Sequence, residues 1–115
     1  MEKQVKISVL LEIYGKVLTE KQYNLLDDYY NNDLSLSEIA ENEGITRQAV
    51  RDNLKKGENK LFEFEEKLSI MKATITKQET IADILSEITK INSKMSDKEI
   101  AEILENVKEK LQIIS

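Results

Sequence analysis

The chain has 115 residues, 40% of them hydrophobic and 34% charged, with a formal net charge of −5. That hydrophobic share excludes a disordered chain, and the lack of Cys and His excludes disulfide scaffolds, thiol or imidazole catalysis and the usual zinc ligands. No apolar run approaches the roughly 18 residues of a membrane helix, and the length fits one domain burying about 65% of its unfolded surface.

The opening "MEKQVKISVLLEIYG" is poor in basic residues and keeps a polar face, so it reads as a first helix from about residue 4 and not as a signal peptide. Without Cys, the expected location is cytoplasmic. The chain has no Pro and only three Gly, at 15, 44 and 57, amid much Leu, Ile, Glu and Lys. Few breakers and many helix formers predict an all-α chain of about six helices with no strand.

The helix starts are marked by capping boxes. In a box, Ser or Thr is followed three residues later by Glu or Gln, and each side chain satisfies an orphan backbone N–H. The pattern occurs at Thr19/Gln22, Ser35/Glu38, Thr76/Glu79 and Ser96/Glu99, and Thr46 adds an N-cap without the box. Apolar pairs that would staple the chain's entry flank four of these caps, at Leu18/Tyr23, Leu34/Ile39, Ile45/Val50 and Met95/Ile100. Helices are therefore expected from near residues 20, 36, 47, 77 and 97. Asn31-Asn32-Asp33 and Asn92 stand in for the turn residues that Gly and Pro usually supply. The neighbouring Asp27-Asp28 point apart on a helix, which predicts a solvated edge and no metal site; Tyr29 or Tyr30 is expected to pack near Leu34 and Ile39.

Between residues 35 and 50 the chain reads "SLSEIAENEGITRQAV". A helix-turn-helix needs a small residue where its helices cross, a Gly four later for the turn, and an apolar anchor six beyond. Ala40, Gly44 and Val50 meet that spacing, with Ile39 and Ile45 filling the small core between. Gly44 is suited to a positive φ without steric cost. The following helix presents Arg47, Arg51 and Lys55 four apart on one face, beside Gln48, Asp52 and Lys56. From Thr46 to Lys60, five basic residues stand against two acidic ones, a local +3 in an acidic chain. Arg and Gln at the start of a recognition helix are the residue types that read guanine and adenine edges. The same six residues, Arg47 to Lys56, are the candidate nucleic-acid contacts. Glu41, Glu43 and Asp33 lie near the motif and oppose a polyanion, because phosphate neutralisation supplies much of such affinity.

Beyond the motif, Val50, Leu54, Gly57, Leu61, Phe64, Leu68 and Met71 step by four and three, which predicts one helix over about residues 47 to 71 with Gly57 interrupting its seam. Ile81, Ile84, Ile88 and Ile91 repeat the step, as do Ile100, Leu104, Val107, Leu111 and Ile114. Residues 1–71 are expected to form a helix-turn-helix domain including the long fourth helix. Residues 72–115 would add a C-terminal helical pair within the same compact unit. Narrow stripes leave much apolar edge for one small chain to cover, so a homodimer is expected, with Leu104, Val107 and Leu111 at its interface.

The run "YGKVLTEKQYNLLDDYYNNDLSLSEIAENEGITRQAVRDNLKKGENKLFEFEEKL", residues 14 to 68, resembles the YlxM family of bacterial helix-turn-helix proteins. Its motif is similar to DNA-reading region 4 of sigma factors. The resemblance rests on "LT-KQ", "YY", "DLSLSEIAE" and "TRQAV", and beyond residue 70 only the helical character matches. It implies an all-helical protein encoded beside the signal recognition particle and serving that protein-targeting pathway. It places promoter-reading positions at Arg47, Gln48, Arg51 and Asp52, although Asp52 stands where sigma factors carry an uncharged amide. Two functions follow: a dimeric DNA-binding regulator, or a protein- or RNA-binding accessory of the particle. Neither is an enzyme, and neither calls for a cofactor or for membrane insertion.

Overall fold

The structure is a computed structural model and describes residues 1–114. Among these the protein is all-α: six helices, α1 (Lys3–Tyr14), α2 (Glu20–Leu26), α3 (Leu36–Glu43), α4 (Arg47–Leu68), α5 (Ile70–Thr89) and α6 (Asp97–Ile114). A 3₁₀ turn at Gly15–Val17 precedes α2, and a π turn at Asp27–Asn31 follows it.

The local signals act where the sequence places them in the first half. At Thr19 and Ser35 both reciprocal bonds of the capping box form, and the Thr46 hydroxyl accepts from the Ala49 N–H at 3.0 Å. After the π turn, Asp33 takes φ 55°, and the Asn31 and Asn32 amides donate to the Asp27 and Asp28 carboxylates. At Ser96 the Glu99 N–H bonds the hydroxyl, but the Glu99 carboxylate accepts from that hydroxyl rather than from the backbone.

The fourth and fifth helices depart from expectation. α4 ends at Leu68, and α5 begins at Ile70, not near residue 77. Ser69 takes a left-handed conformation, φ 53°, with its N–H on the Glu65 carbonyl at 2.8 Å, and the chain breaks there. The first N–H groups of α5 are then met from far away in sequence. The Ile70 N–H donates to the Tyr14 hydroxyl at 3.2 Å, and the Met71 N–H donates to the Glu65 carboxylate at 2.9 Å. Tyr14 in turn donates to Glu65 at 2.7 Å. Capped by tertiary groups, α5 has no need of Thr76, whose hydroxyl bonds back to the Lys72 carbonyl inside the helix.

Two compact units divide the chain, Met1–Met71 and the described part of Lys72–Ser115. In the first, α4 packs against α1, α2 and α3. The core is built from Ile7, Leu10, Leu11 and Tyr14 of α1, Leu25 and Leu26 of α2, Ile39 and Ala40 of α3, and Val50, Leu54 and Leu61 of α4. Each large aliphatic side chain so buried contributes about 1.5–3 kcal/mol. Gly57 continues the α4 stripe: it is buried, and a Cβ there would stand 2.8 Å from the Leu26 Cδ1. Farther along α4, Phe64 tilts against Tyr14 with ring centroids 6.1 Å apart, and Leu68 is 56% exposed.

Among the described residues of the second unit, only Ile84 and Val107 are buried apolar side chains, and Lys110 pairs with Glu87 at 2.7 Å. The Glu87 carboxylate beside it holds the Lys110 ammonium above its ordinary range.

Burial, then the bond to Glu65, raises the Tyr14 hydroxyl above its ordinary range. The fold therefore favours the neutral phenol. That stabilisation is complete below about pH 10 and is lost as pH climbs further. Tyr14→Phe removes the donor to Glu65 and the acceptor for Ile70. It should destabilise the chain by about 1–3 kcal/mol at neutral pH, read from urea midpoints, and should flatten the loss above pH 10.

Candidate nucleic-acid interface

The α3–α4 pair has helix-turn-helix geometry, and its turn depends on one residue. Gly44 sits at φ 66°, its N–H on the Glu41 carbonyl at 3.3 Å, while the Ile45 N–H reaches back to Ala40 at 3.1 Å. These bonds satisfy the last carbonyls of α3 and reverse the chain, and Thr46 then caps α4. Ile39, Ala40 and Val50 are buried at the crossing, and Ile45 is half-buried. The five scaffold residues read from the sequence therefore meet in one place.

The six candidate contact residues, Arg47, Gln48, Arg51, Asp52, Lys55 and Lys56, are all exposed on the first half of α4. They do not form one surface. Arg47 and Arg51 border a hollow of about 450 Å³ with Leu36 and Gln48, and the Arg47 guanidinium reaches the Ser37 hydroxyl at 3.4 Å. Lys55 follows Arg51 along that flank. Lys56 is turned by about 100° from Lys55 around the helix and borders none of these hollows. Gln48 donates to the Asp52 carboxylate at 2.9 Å, so the two residues that flank the arginines are engaged with each other.

A second hollow, of about 420 Å³, adjoins the first through Leu36 and Arg51. Lys3, Tyr29, Lys55 and Glu58 line it. The Tyr30 hydroxyl donates to Glu58, and Lys3 lies 3.6 Å from the other oxygen of that carboxylate. Burial, then the bond to Glu58, pushes the Tyr30 hydroxyl well above its ordinary range. Tyr29 stands edge-on to Tyr30, 5.0 Å between centroids. The Tyr pair is visible in the sequence, but this hollow is not. Lys3 lies 48 positions before Arg51, and the π turn that carries the two rings has no capping or breaker signature in the sequence. Among the described residues no group of acidic side chains has metal-ligand geometry, and Asp27 and Asp28 are occupied with Asn31 and Asn32.

Residues 1–107 match the family model described as "Putative helix-turn-helix protein, YlxM / p13 like". The chain belongs to that family. Among its relatives, a UPF0122 protein of Clostridium kluyveri is 46% identical over 108 residues, spanning 94% of either chain. Another, from Acetivibrio thermocellus, is 40% identical over 114 residues, 99% of this chain and 97% of the relative. A UPF0122 protein of Fusobacterium nucleatum is 45% identical over 94 residues, 80% of this chain and 89% of the relative. The family match and the two longer alignments extend past the run that carries the resemblance, residues 14 to 68, into α5 and α6. No described helix is long and apolar enough to cross a membrane.

The space around Gly44 is open, with nothing within 4 Å of a Cβ built there, so a substitution meets backbone strain alone. Gly44→Val should lower stability by about 1–3 kcal/mol. Gly44→Asn, which tolerates positive φ, should cost clearly less. Equal melting temperatures for the two variants would show that the turn is not held in this conformation.

Proposed function

We propose that the protein is a helix-turn-helix DNA-binding regulator that works in the cytoplasm, with α4 as its recognition helix. The observation that carries this reading is the placement of Arg47 and Arg51. Both are exposed on the first turns of a helix whose start is capped by Thr46 and whose other side is locked into the core by Val50, Leu54 and Leu61. A helix fixed in that way presents its cations with no backbone to order at binding, leaving only the side chains to be immobilised. From Thr46 to Lys60 five basic residues stand against two acidic ones, so this stretch is locally positive in an acidic chain.

A second reading is favoured by one contact. The Gln48 amide donates one of its two N–H groups to Asp52, which constrains how that amide turns toward an adenine edge. With that donor engaged, phosphate and shape contacts gain weight over base reading. That suits an accessory of the signal recognition particle touching RNA or protein. The working form in either reading is a homodimer. Leu104 and Leu111 are 51% and 48% exposed, and Ile81, Leu85 and Ile88 of α5 are exposed as well, while Val107 is buried. A second copy covering these side chains would remove an apolar surface larger than isolated exposed residues make.

Arg47→Ala with Arg51→Ala should leave the melting temperature unchanged and weaken binding to duplex DNA. A lost base contact is worth about 1–3 kcal/mol with blurred sequence preference, and a lost phosphate contact flattens the salt slope by about one unit. Undiminished binding by the double variant to both DNA and RNA would sink the recognition-helix reading. For assembly, light scattering at tens of micromolar should give twice the chain mass, and Leu104→Glu with Leu111→Glu should halve it, since each places a charge against an apolar partner. A monomeric wild type would refute the dimer.

A further inference from the structure

The hollow at Lys3, Tyr29 and Lys55 extends from the helix-turn-helix motif to α1 and the π turn, and duplex reading by α4 leaves Lys3 and Tyr29 without a role. Three cations border it: Lys3 from the start of α1, and Arg51 and Lys55 from α4. Its wall carries Tyr29, 36% exposed, with Leu54 and Phe62 below. The one carboxylate within it, Glu58, is only 12% exposed and already holds the Tyr30 hydroxyl and Lys3. Asp33 lies in the next hollow along, beyond the Tyr pair. The local balance is thus positive in a chain of net charge −5. Cations along a concave track with an aromatic wall are what proteins use to hold single strands: phosphates follow the charge, and a base stacks on the ring. The volume, about 420 Å³, lies in the range of small-ligand sites and admits one nucleotide. A paired base cannot use the wall, because its faces are covered within the duplex.

We propose that this hollow is a subsite for one unpaired nucleotide of a nucleic-acid strand, its phosphate between Lys3 and Lys55 and its base against Tyr29. The proposal rests on the reading that α4 meets nucleic acid, and Arg51 borders both places. Tyr30 is the positioning residue: its bond to Glu58 and its edge contact with Tyr29 fix the neighbouring ring. Lys3, 64% exposed, exchanges its weak pairing with Glu58 for the phosphate at little cost.

Fluorescence anisotropy at low salt, with a labelled twelve-residue thymidine oligonucleotide and with a duplex of equal length, tests this on the full chain. Tyr29→Leu should weaken the single strand roughly tenfold and change the duplex less than twofold. Lys3→Ala, at an exposed site and with an unchanged melting temperature as its control, should reduce the single-strand salt slope by about 0.7. Single-strand binding unaffected by either variant overturns the subsite, as does equal weakening of both ligands by Tyr29→Leu. Displacement of the oligonucleotide by an equal concentration of thymidine monophosphate would assign the hollow to free nucleotides and overturn the strand reading. Duplex binding without single-strand binding defeats the subsite alone. Single-strand binding without duplex binding supports the subsite and defeats the proposed regulator.

Discussion

Everything functional in the first unit depends on how closely α2 approaches α4. At Gly57 a Cβ would stand 2.8 Å from the Leu26 Cδ1, inside any contact that real side chains make. A glycine inside a helix costs about 1 kcal/mol relative to alanine. Here that cost is offset by the burial of Leu26, with no solvent exposure, and of Leu61 one turn farther on. Val50, Leu54, Gly57 and Leu61 then form one continuous buried stripe. Because that stripe is narrow, the flank beside it is left to Arg47, Arg51 and Lys55. The same helix is thereby both the central strut of the core and the presenter of its cations.

Much of this was legible in the sequence because it is local. Capping pairs lie three residues apart, and the Gly44 turn depends on a single backbone conformation, so Thr19, Ser35, Thr46 and Gly44 each carry their own signal. Gly57 looked like a gap in the α4 seam, because its role needs Leu26, which lies 31 positions earlier. The start of α5 was misplaced for the same reason. Its first N–H groups bond Tyr14 and Glu65, and the Tyr14 bond spans 56 positions. A capping box at Thr76 and Glu79 was a plausible signal that a tertiary cap made unnecessary. Within the site, the four-residue spacing of Arg47, Arg51 and Lys55 is readable as one face of a helix. It could not supply the Gln48–Asp52 bond as a constraint on reading, or bring Lys3 and the Tyr pair to the same flank.

The second unit follows a different logic. Its described residues include two buried apolar side chains against a row of exposed ones, with Lys110–Glu87 as a polar tie. The Glu87 carboxylate keeps its second oxygen buried with no hydrogen-bond partner among the described residues. A helical pair with that balance is under-covered, whereas the first unit buries its stripe fully. The acidic composition and the basic flank are compatible because charge acts over about one Debye length, roughly 8 Å in physiological salt, so what matters is the sign of the face that meets the partner.

The central claim is that nucleic acid meets this chain on the exposed flank of α4. The most direct measurement is a titration of the ¹⁵N-labelled protein with short duplex DNA, following each backbone amide. The account predicts shifts concentrated from Arg47 to Lys55, with Ser37 at the start of α3 and little change beyond Lys72. Shifts confined to α5 and α6, or none at a duplex concentration that saturates other helix-turn-helix domains, would contradict it.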